Sequence, residues 1–346
     1  MLRKLIMDRI KQYCDSKNIN DVLITDIKSF NGTQIKNQQP PSRTELELAS
    51  KVWIDASYDP IAVKLKPWSQ IISLIKTANK NTKVLSSDFS YWYKTDSEII
   101  YCPFWFLNVY PFRSFKVKDQ RRFKFSCLNR ELKPHRLMHF CLFYESEYLP
   151  YSCIGYYGKA TYITYSADQE RRIEQILKFC NDPYITETYN KLKHLVPYAP
   201  YEPGYAGYND HSLNHQAYTN TYINVVTETS CDFTNVFPGS EEAIITEKTV
   251  KPLLARQMFI MASQTGSVQF LRDLGIDMFD DIIDHSYDNI QGFKPKTYAI
   301  HAELQRLSKL DLETIFKQNR SRLEANYNRL FDTEFKDLAA KQLITG

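Results

Sequence analysis

The sequence predicts an α/β protein of two domains, each built on a mainly parallel sheet. The chain has 346 residues, more than a single domain of ordinary size contains. Short apolar segments typical of strands alternate with segments of helical periodicity. The alternation restarts after residues 110–120, where Pro111 precedes a dense run of charge, as in a linker. Apolar residues make up 43% of the chain and charged residues 24%, so each domain can build a core.

The first part of the chain contains four strand-like segments and two helical ones. We predict strands at 22–25, 52–55, 83–85 and 99–101, and helices at 2–14 and 69–79. The second helix is indicated by apolar residues at positions i, i+3, i+4 and i+7. The segment 31–44 between them is polar and is predicted to be a loop.

The second part repeats the pattern and ends in helix. We predict strands at 123–128, 152–156, 162–164, 223–226 and 259–261, and helices at 136–144, 166–180, 246–255, 267–274 and 299–343. In parallel sheets, ligands bind beyond the carboxyl ends of the strands. A cleft between two such domains is therefore the expected site.

Residue patterns exclude several common sites. No two of the ten glycines have GxG spacing and no GxxxxGK[ST] motif occurs, which excludes a dinucleotide fingerprint and a phosphate loop. The seven cysteines form no CxxC motif, which excludes a zinc ribbon and indicates the reduced thiols of a cytoplasmic protein. The longest nearly uncharged apolar stretch, 101–112, is too short to span a bilayer, so we expect no membrane insertion. The net charge of +4 permits an anionic ligand.

Cationic side chains gather where one helix is predicted to begin. The strand from 123 is followed by Asn129, and Lys133, His135 and Arg136 then surround Pro134, which suits the first turn of a helix. Cations are disfavoured at this end of a helix, by about 0.3–1 kcal/mol each. A bound phosphate would remove the conflict. The alternative is that these side chains point into solvent, and charge alone slightly favours it.

A second predicted helix begins with a Glu–Lys pair. Thr246 is a good N-cap, and Glu247 and Lys248 occupy the first turn. The pair could hold a ribose and a diphosphate, although favourable interaction with the helix dipole explains Glu247 equally well. Glu228 follows the strand at 223–226 and is expected to face the cleft, or simply water.

Other polar groups in the sequence carry weaker signals. The pairs His135/His139 and His211/His215 lack the HExxH glutamate and are interpreted as structural or surface histidines. The acidic residues between 277 and 288 lack EF-hand spacing, no DxD motif occurs, and no metal site is predicted. The basic stretch 113–136 holds interleaved phenylalanines and could bind nucleic acid, but strand alternation explains most of its charges.

The order of these motifs resembles a known family. Five motifs follow one another along the chain: a strand that ends in Asn129, a helix that Arg136 opens, the strand end VTETS with Glu228, the TEK motif at 246–248, and the strand MFIMAS. This order is similar to the donor domain of fucosyltransferase-like, inverting GT-B glycosyltransferases, above all those carried by bacteriophages and large viruses. The resemblance covers about residues 120–290, roughly half of the chain.

The resemblance implies a site and a mechanism. Arg136 would contact the donor diphosphate, Glu247 the ribose and Lys248 the phosphates, with Asn129 and Glu228 counted among the donor-binding residues. Two Rossmann-like domains would face a central cleft, with 1–115 on the acceptor side, 116–310 binding the donor, and helices at 311–346 that could pack back on the first domain. Transfer would be an inverting displacement that needs no metal and no cofactor beyond the nucleotide sugar.

Two parts of the mechanism stay open in the sequence. The general base would be a carboxylate of the first domain, and Asp55 and Asp88 are the candidates because each follows a predicted strand. The acceptor would be either a glycan hydroxyl or a hydroxymethylated base in viral DNA. In the second case the reaction would be a modification of DNA. The alternative to an enzyme is a non-catalytic, basic α/β module that binds nucleic acid.

Overall fold

A computed structural model describes two stretches of the chain in different detail. Four strands at 22–26, 51–56, 82–86 and 99–101 are described by their backbone. Residues 117–159, 166–198, 200, 216–229, 231–232 and 245–332 are described more fully. The chain divides into two compact units, Met1–Tyr110 with Thr333–Gly346, and Pro111–Asp332. Residues 311–332, which the sequence assigned to a C-terminal segment of their own, belong to the second unit.

The first unit contains a parallel sheet of four strands. They are β1 (Val22–Asp26), β2 (Lys51–Ala56), β3 (Thr82–Ser86) and β4 (Ile99–Tyr101), and they pair in this order. The four strands predicted in this part of the chain are thereby confirmed. Parallel neighbours require a connection that returns along the sheet, which explains the long segments between these strands. The helices predicted at 2–14 and 69–79 lie outside the described residues.

The second unit contains another parallel four-stranded sheet. Its strands are β5 (Phe123–Glu131), β6 (Ser152–Lys159), β7 (Thr221–Thr227) and β8 (Met258–Ala262). They pair in the order β6-β5-β7-β8. The chain therefore builds outward from β5 to β6 and then resumes on the other side of β5, which makes the β5–β7 boundary a topological switch point. The strand predicted at 162–164 lies outside the described residues.

Helices of the second unit pack around this sheet. They are α1 (Pro134–Tyr144), α2 (Ser166–Cys180), α3 (Pro183–Leu192), α4 (Gln216–Thr219), α5 (Glu247–Leu254), α6 (Ser267–Asp273), α7 (Phe293–Leu307), α8 (Leu312–Gln318) and α9 (Arg320–Arg329). The sequence did not predict α3. The helix predicted at 299–343 is instead three described helices, α7 to α9, because Asp311 caps a new helix by accepting from the Thr314 N–H at 3.1 Å. Residues 333–343 lie outside the described part.

The core of the second unit lies on both faces of its sheet. Every residue of β7 and β8 is buried, as expected for strands covered by helices on two sides. β8 is the last strand on its side, and the backbone N–H of Met261 donates to the hydroxyl of Tyr287 at 3.0 Å. The tyrosine thus satisfies a backbone group that an open sheet edge would expose. Across the described segments, we find no helix with both the length and the apolar composition needed to cross a bilayer.

Candidate functional site

The predicted site residues of the second unit meet at the carboxyl edge of its sheet. Asn129 lies near the end of β5, and Glu228 directly follows β7. Helices α1 and α5 both begin at this edge. Because β5 and β7 flank the switch point, their carboxyl ends border the crevice in which open α/β sheets bind ligands.

Glu228 fixes the start of α5 through a set of inward hydrogen bonds. Its Oε1 accepts from the Thr246 N–H at 2.9 Å and the Thr249 hydroxyl at 2.6 Å. Its Oε2 accepts from the Thr246 hydroxyl at 2.6 Å and the Thr229 N–H at 3.2 Å. The carboxylate is fully buried. These four donors compensate for the loss of hydration, and the side chain holds the end of β7 and the start of α5 together.

Arg136 anchors the end of β7 from the first turn of α1. Its Nη2 donates to the carbonyls of Thr227 and Glu228 at 3.0 and 3.1 Å, and Nη1 lies 4.0 Å from Glu131. Only 3% of the residue is exposed, and its Nε has no hydrogen-bond partner among the described residues. Burial lowers the pKa of Arg136, and the charges of Glu131 and Glu228 oppose that shift. The guanidinium therefore keeps unused donor capacity at this edge of the sheet.

Asn129 ties β5 to β7 in the same region. Its side-chain oxygen accepts from the Thr227 hydroxyl at 2.5 Å, and its amide lies 3.2 Å from the sulfur of Cys127. The residue is buried. Its amide is thus engaged within the sheet.

Glu247 and Lys248 face the surface at the start of α5. The Lys248 ammonium lies 2.8 Å from Glu247 Oε1 and donates to the Thr246 hydroxyl at 3.0 Å. The two side chains are 16% and 28% exposed. Burial would raise the pKa of Glu247, but the charge and hydrogen bond of Lys248 outweigh it, and that pKa is lowered. Glu247 therefore stays ionised within an ion pair that a ligand can reach.

Lys133 brings a further cation to this edge. It is the N-cap residue of α1, and its ammonium donates to the Thr229 carbonyl at 2.6 Å. Burial lowers its pKa to about 7, and the nearby charges of Arg136, Lys248 and Arg172 act in the same direction. The sequence marked Lys133 as one of several cations but did not place it among the donor-binding residues.

A continuous series of contacts connects α1 to α5 at this edge. Lys133 reaches the Thr229 carbonyl, Thr229 and Thr246 both bond to Glu228, and Thr246 accepts from Lys248. Arg136 joins the series through the Glu228 carbonyl. The cations expected at two separate helix starts are therefore neighbours around one buried carboxylate.

The candidate bases belong to the first unit. Asp55 lies in β2, in register with Asp26 of β1 and Leu85 of β3. Asp88 follows β3 and lies outside the described residues. Their assignment as catalytic bases stays a prediction.

The basic stretch at 113–136 is only partly exposed where it is described: Lys118, Arg122 and Arg130 are exposed, whereas two other cations are bound by backbone carbonyls. Arg121 is buried and donates to the carbonyls of Thr221 and Ala255 at 2.6 and 2.9 Å. Lys124 donates to the carbonyls of Ser308 and Leu310. Arg121 and Lys124 therefore depart from the solvated strand face that the sequence predicted, whereas the exposed Arg122 and Arg130 fit it.

Acidic residues between 277 and 288 form ion pairs and hydrogen bonds within the second unit. Arg322 binds both Asp277 and Asp281, and Arg272 binds Asp280. Asp288 is buried and accepts from the Val268 N–H at the start of α6 at 3.1 Å. In the part of the chain that the structure describes, no three His, Cys, Asp or Glu side chains are arranged to hold a metal ion.

His135 and His139 are buried inside the second unit, and His211 and His215 lie outside the described residues. Nε2 of His135 contacts the Glu228 carbonyl at 3.0 Å. Nδ1 of His139 contacts His301 Nε2 at 3.0 Å. The interpretation as structural histidines fits the described pair.

Comparison of the chain with models of protein families, with curated proteins and with solved structures finds no match in any of the three. The functional inference therefore rests on the chemistry of the site.

Proposed function

We propose that this chain is a nucleotide-sugar-dependent glycosyltransferase whose second unit binds the donor at the carboxyl edge of its sheet. The observation that carries the proposal is the convergence of Arg136, Lys133 and the Glu247–Lys248 pair at the switch point between β5 and β7. Cations at helix starts are unfavourable without a ligand, and a diphosphate in the crevice would compensate for them.

The proposed roles follow from how each side chain is engaged. Glu247 and Lys248 are exposed enough to meet a ligand, so Glu247 would accept hydrogen bonds from ribose hydroxyls while Lys248 turns to the phosphates. Asn129 and Glu228 are buried and hydrogen-bonded within the edge, so they would position the helix starts. Arg136 would do both, since its Nη2 holds β7 and its Nε is unpaired among the described residues.

The proposed reaction is a single inverting displacement at the anomeric carbon. The acceptor hydroxyl would attack as the nucleoside diphosphate departs, and the lysine and arginine cations would stabilise the developing charge, so that no metal or further cofactor is required. A carboxylate of the first unit, Asp55 or Asp88, would take the acceptor proton. The proposal includes the GT-B arrangement, in which the donor domain predicted at 116–310 is extended to Asp332, where the second unit ends. It also includes a cytoplasmic location.

A glycan hydroxyl is the acceptor that we favour over a base in DNA. Binding to duplex DNA requires lysines and arginines that neutralise phosphates. In the basic stretch, however, Arg121 and Lys124 are already bound by backbone carbonyls, which leaves only Lys118, Arg122 and Arg130 as exposed cations of its described part. The same observation weighs against a non-catalytic module that binds nucleic acid.

A thermal-shift panel with UDP, GDP, CDP and ADP tests the proposal on the full chain. At ligand concentrations far above the dissociation constant, at least one nucleotide should raise the Tm by a few degrees. The nucleotide that does so should be released from its sugar conjugate by the wild type. Lys248→Gln should reduce the shift, and Lys191→Gln on the exposed face of α3 should leave it unchanged.

The proposal fails if none of the four nucleotides shifts the Tm and no nucleoside diphosphate is released from any donor. A filter-binding titration with duplex DNA at low salt separates the two acceptors. Tight, steeply salt-dependent binding would favour the DNA acceptor over the glycan.

A further inference from the structure

Exposed aromatic rings gather at one junction of helices in the second unit. Four large hydrophobic side chains of the described residues are exposed: Phe179, Tyr184, Tyr298 and Tyr151. The first three lie at the end of α2, the start of α3 and the first half of α7, and they are 37%, 48% and 36% exposed. Single exposed rings are ordinary on a protein surface, whereas a group drawn from three helices indicates a binding surface. We call these three rings the aromatic patch.

One carboxylate ties two rings of the patch to a common framework. The hydroxyl of Tyr298 donates to Asp182 Oδ2 at 2.9 Å. Asp182 is the N-cap of α3, and its Oδ1 accepts from the Ile185 N–H at 3.3 Å. Tyr184 stands in the first turn of the helix that this cap begins. Because its hydroxyl is already fixed, Tyr298 loses little side-chain freedom when a ligand binds against it.

The third ring of the patch is fixed by stacking. Phe179 lies nearly parallel to Phe293, with ring centroids 5.4 Å apart and an angle of 8° between the planes. Phe293 is the first residue of α7 and is buried, so it supports the exposed ring of Phe179 from the protein side. The patch therefore offers a ligand rings whose orientation is set before binding.

The charged side chains around the patch are paired with one another. The Lys294 ammonium lies 3.2 Å from Asp182 Oδ2 and donates to the Asn181 carbonyl at 2.8 Å. On the exposed face of α3, Glu187 and Lys191 form an ion pair at 2.8 Å. Since these two lysines are already neutralised by carboxylates, they offer little attraction to an anionic polymer. The surroundings favour an uncharged ligand.

The patch lies beside the start of α1, at the edge that contains the candidate site. Cys180, which follows Phe179 in the chain, contacts the carbonyl of Pro134, the first residue of α1, with a distance of 4.0 Å between sulfur and oxygen. The start of α7 lies at the same edge, because Lys296 donates to the carbonyl of Ser263, directly after β8, at 3.0 Å. A chain of sugars whose reacting end lies at this edge would extend over the patch.

We propose that Phe179, Tyr184 and Tyr298 form a platform that binds a neutral oligosaccharide. A pyranose ring has an apolar face of C–H groups bordered by hydroxyls, which matches aromatic faces flanked by tyrosine hydroxyls and a charged pair. The inference rests on the proposed function for the role of this ligand, which is the outer part of the acceptor glycan. The platform holds that part while the terminal hydroxyl reaches the edge.

Calorimetric titration of the full chain with three neutral probes tests the platform: cellotetraose, maltotetraose and tetra-N-acetylchitotetraose. At least one should bind wild type with a Kd of about 0.1–10 mM. Tyr184→Ala and Phe179→Ala should each weaken that binding by about three- to tenfold, the loss of one aromatic contact. Tyr184→Trp keeps an aromatic ring and should keep the affinity. Tyr151→Ala removes the exposed ring outside the patch and should bind as wild type does.

Three results would overturn the inference. The first is that none of the probes binds wild type, and the second is unchanged binding in both Tyr184→Ala and Phe179→Ala. The third is self-association of the chain, measured by analytical ultracentrifugation, that Tyr184→Ala abolishes while no probe binds; the patch would then be an interface with a second copy.

The platform and the proposed transferase can fail separately. Tyr184→Ala should keep the nucleotide-induced rise in Tm, because the patch is no part of the donor-binding residues. If the probes bind but no nucleotide raises the Tm and no donor is consumed, the platform stands as a glycan-binding site and the transferase fails. If nucleotides bind and the donor is consumed but no probe binds, the transferase stands and the platform fails.

Discussion

The Glu228 carboxylate accepts hydrogen bonds from both the backbone N–H and the hydroxyl of Thr246, at 2.9 and 2.6 Å. The residues are separated by 18 positions, one at the end of β7 and the other at the cap of α5. One buried carboxylate thus fixes the position at which α5 begins. The geometry of Glu247 and Lys248 depends on it, because these residues form the first turn of that helix.

Glu228→Gln should destabilise the second unit. The two carboxylate oxygens each face a backbone N–H, of Thr246 and of Thr229, so the amide nitrogen of glutamine would face a donor in either orientation. A buried donor left without an acceptor costs about 1–3 kcal/mol. Urea unfolding followed by circular dichroism measures the loss. Glu187→Gln on the exposed face of α3 is the control, and an equal loss in both proteins would contradict this account.

Lys296→Met should be among the more damaging single substitutions. The Lys296 ammonium is fully buried, lies 2.6 Å from Asp232 Oδ2, and donates to the Ser263 carbonyl at 3.0 Å. Removing it leaves an uncompensated buried charge, which costs about 3–5 kcal/mol. Asp232→Asn combined with Lys296→Met removes both charges and should be less destabilised than the single Lys296→Met protein. Asparagine suits the φ of 44° at position 232. Additive losses in a double-mutant cycle would refute the coupling.

Strand positions were predictable because buried parallel strands are continuous apolar runs. The segment 99–101 matches β4 residue for residue, and 259–261 lies within β8. The helix α3 was missed although its signals are present, since Asp182 caps it and Pro183 occupies its first position. The single long helix at the C-terminus was wrong because Asp311 was not recognised as a cap.

The site was predictable only in part, and for a physical reason. Helix starts with their cations follow from local sequence, so the positions of Arg136 and Lys248 could be anticipated. The direction in which Glu228 points could not, because Thr246 and Thr249 determine it from 18 and 21 positions further along the chain.

One of the two candidate bases should carry the proton transfer of the proposed reaction. Asp55→Asn or Asp88→Asn should lower turnover by about 10²–10⁴ while donor binding, measured by thermal shift, is kept. Asp26→Asn is a matched control, because Asp26 pairs in register with Asp55 in the same sheet. Near-normal turnover in both variants would exclude a base at either position.

Acid should destabilise the second unit already at pH values well above those at which most carboxylates titrate. His135, His139 and His301 are buried, and burial lowers the pKa of each, that of His139 to about 3. In the unfolded chain these groups bind protons below about pH 6.5, whereas the folded protein excludes them. Their contribution to stability is therefore complete above pH 6.5 and is lost as the pH falls toward the folded pKa. Each histidine contributes a slope of at most about 1.4 kcal/mol per pH unit.

The free energy of unfolding at about pH 7.5, 6.5 and 5.5 tests this effect. The contribution of these histidines to the unfolding free energy should be nearly constant between about pH 7.5 and 6.5 and should fall between about pH 6.5 and 5.5. Below pH 6.5, His139→Gln should reduce the slope of the unfolding free energy against pH by up to about 1.4 kcal/mol per pH unit, the effect of one proton. This holds even if the variant is less stable throughout. His194→Gln, at an exposed position after α3, should leave the slope unchanged. Since the slope counts protons and not contacts, an unaltered slope in His139→Gln would show that His139 is protonated in the folded protein, contrary to its burial.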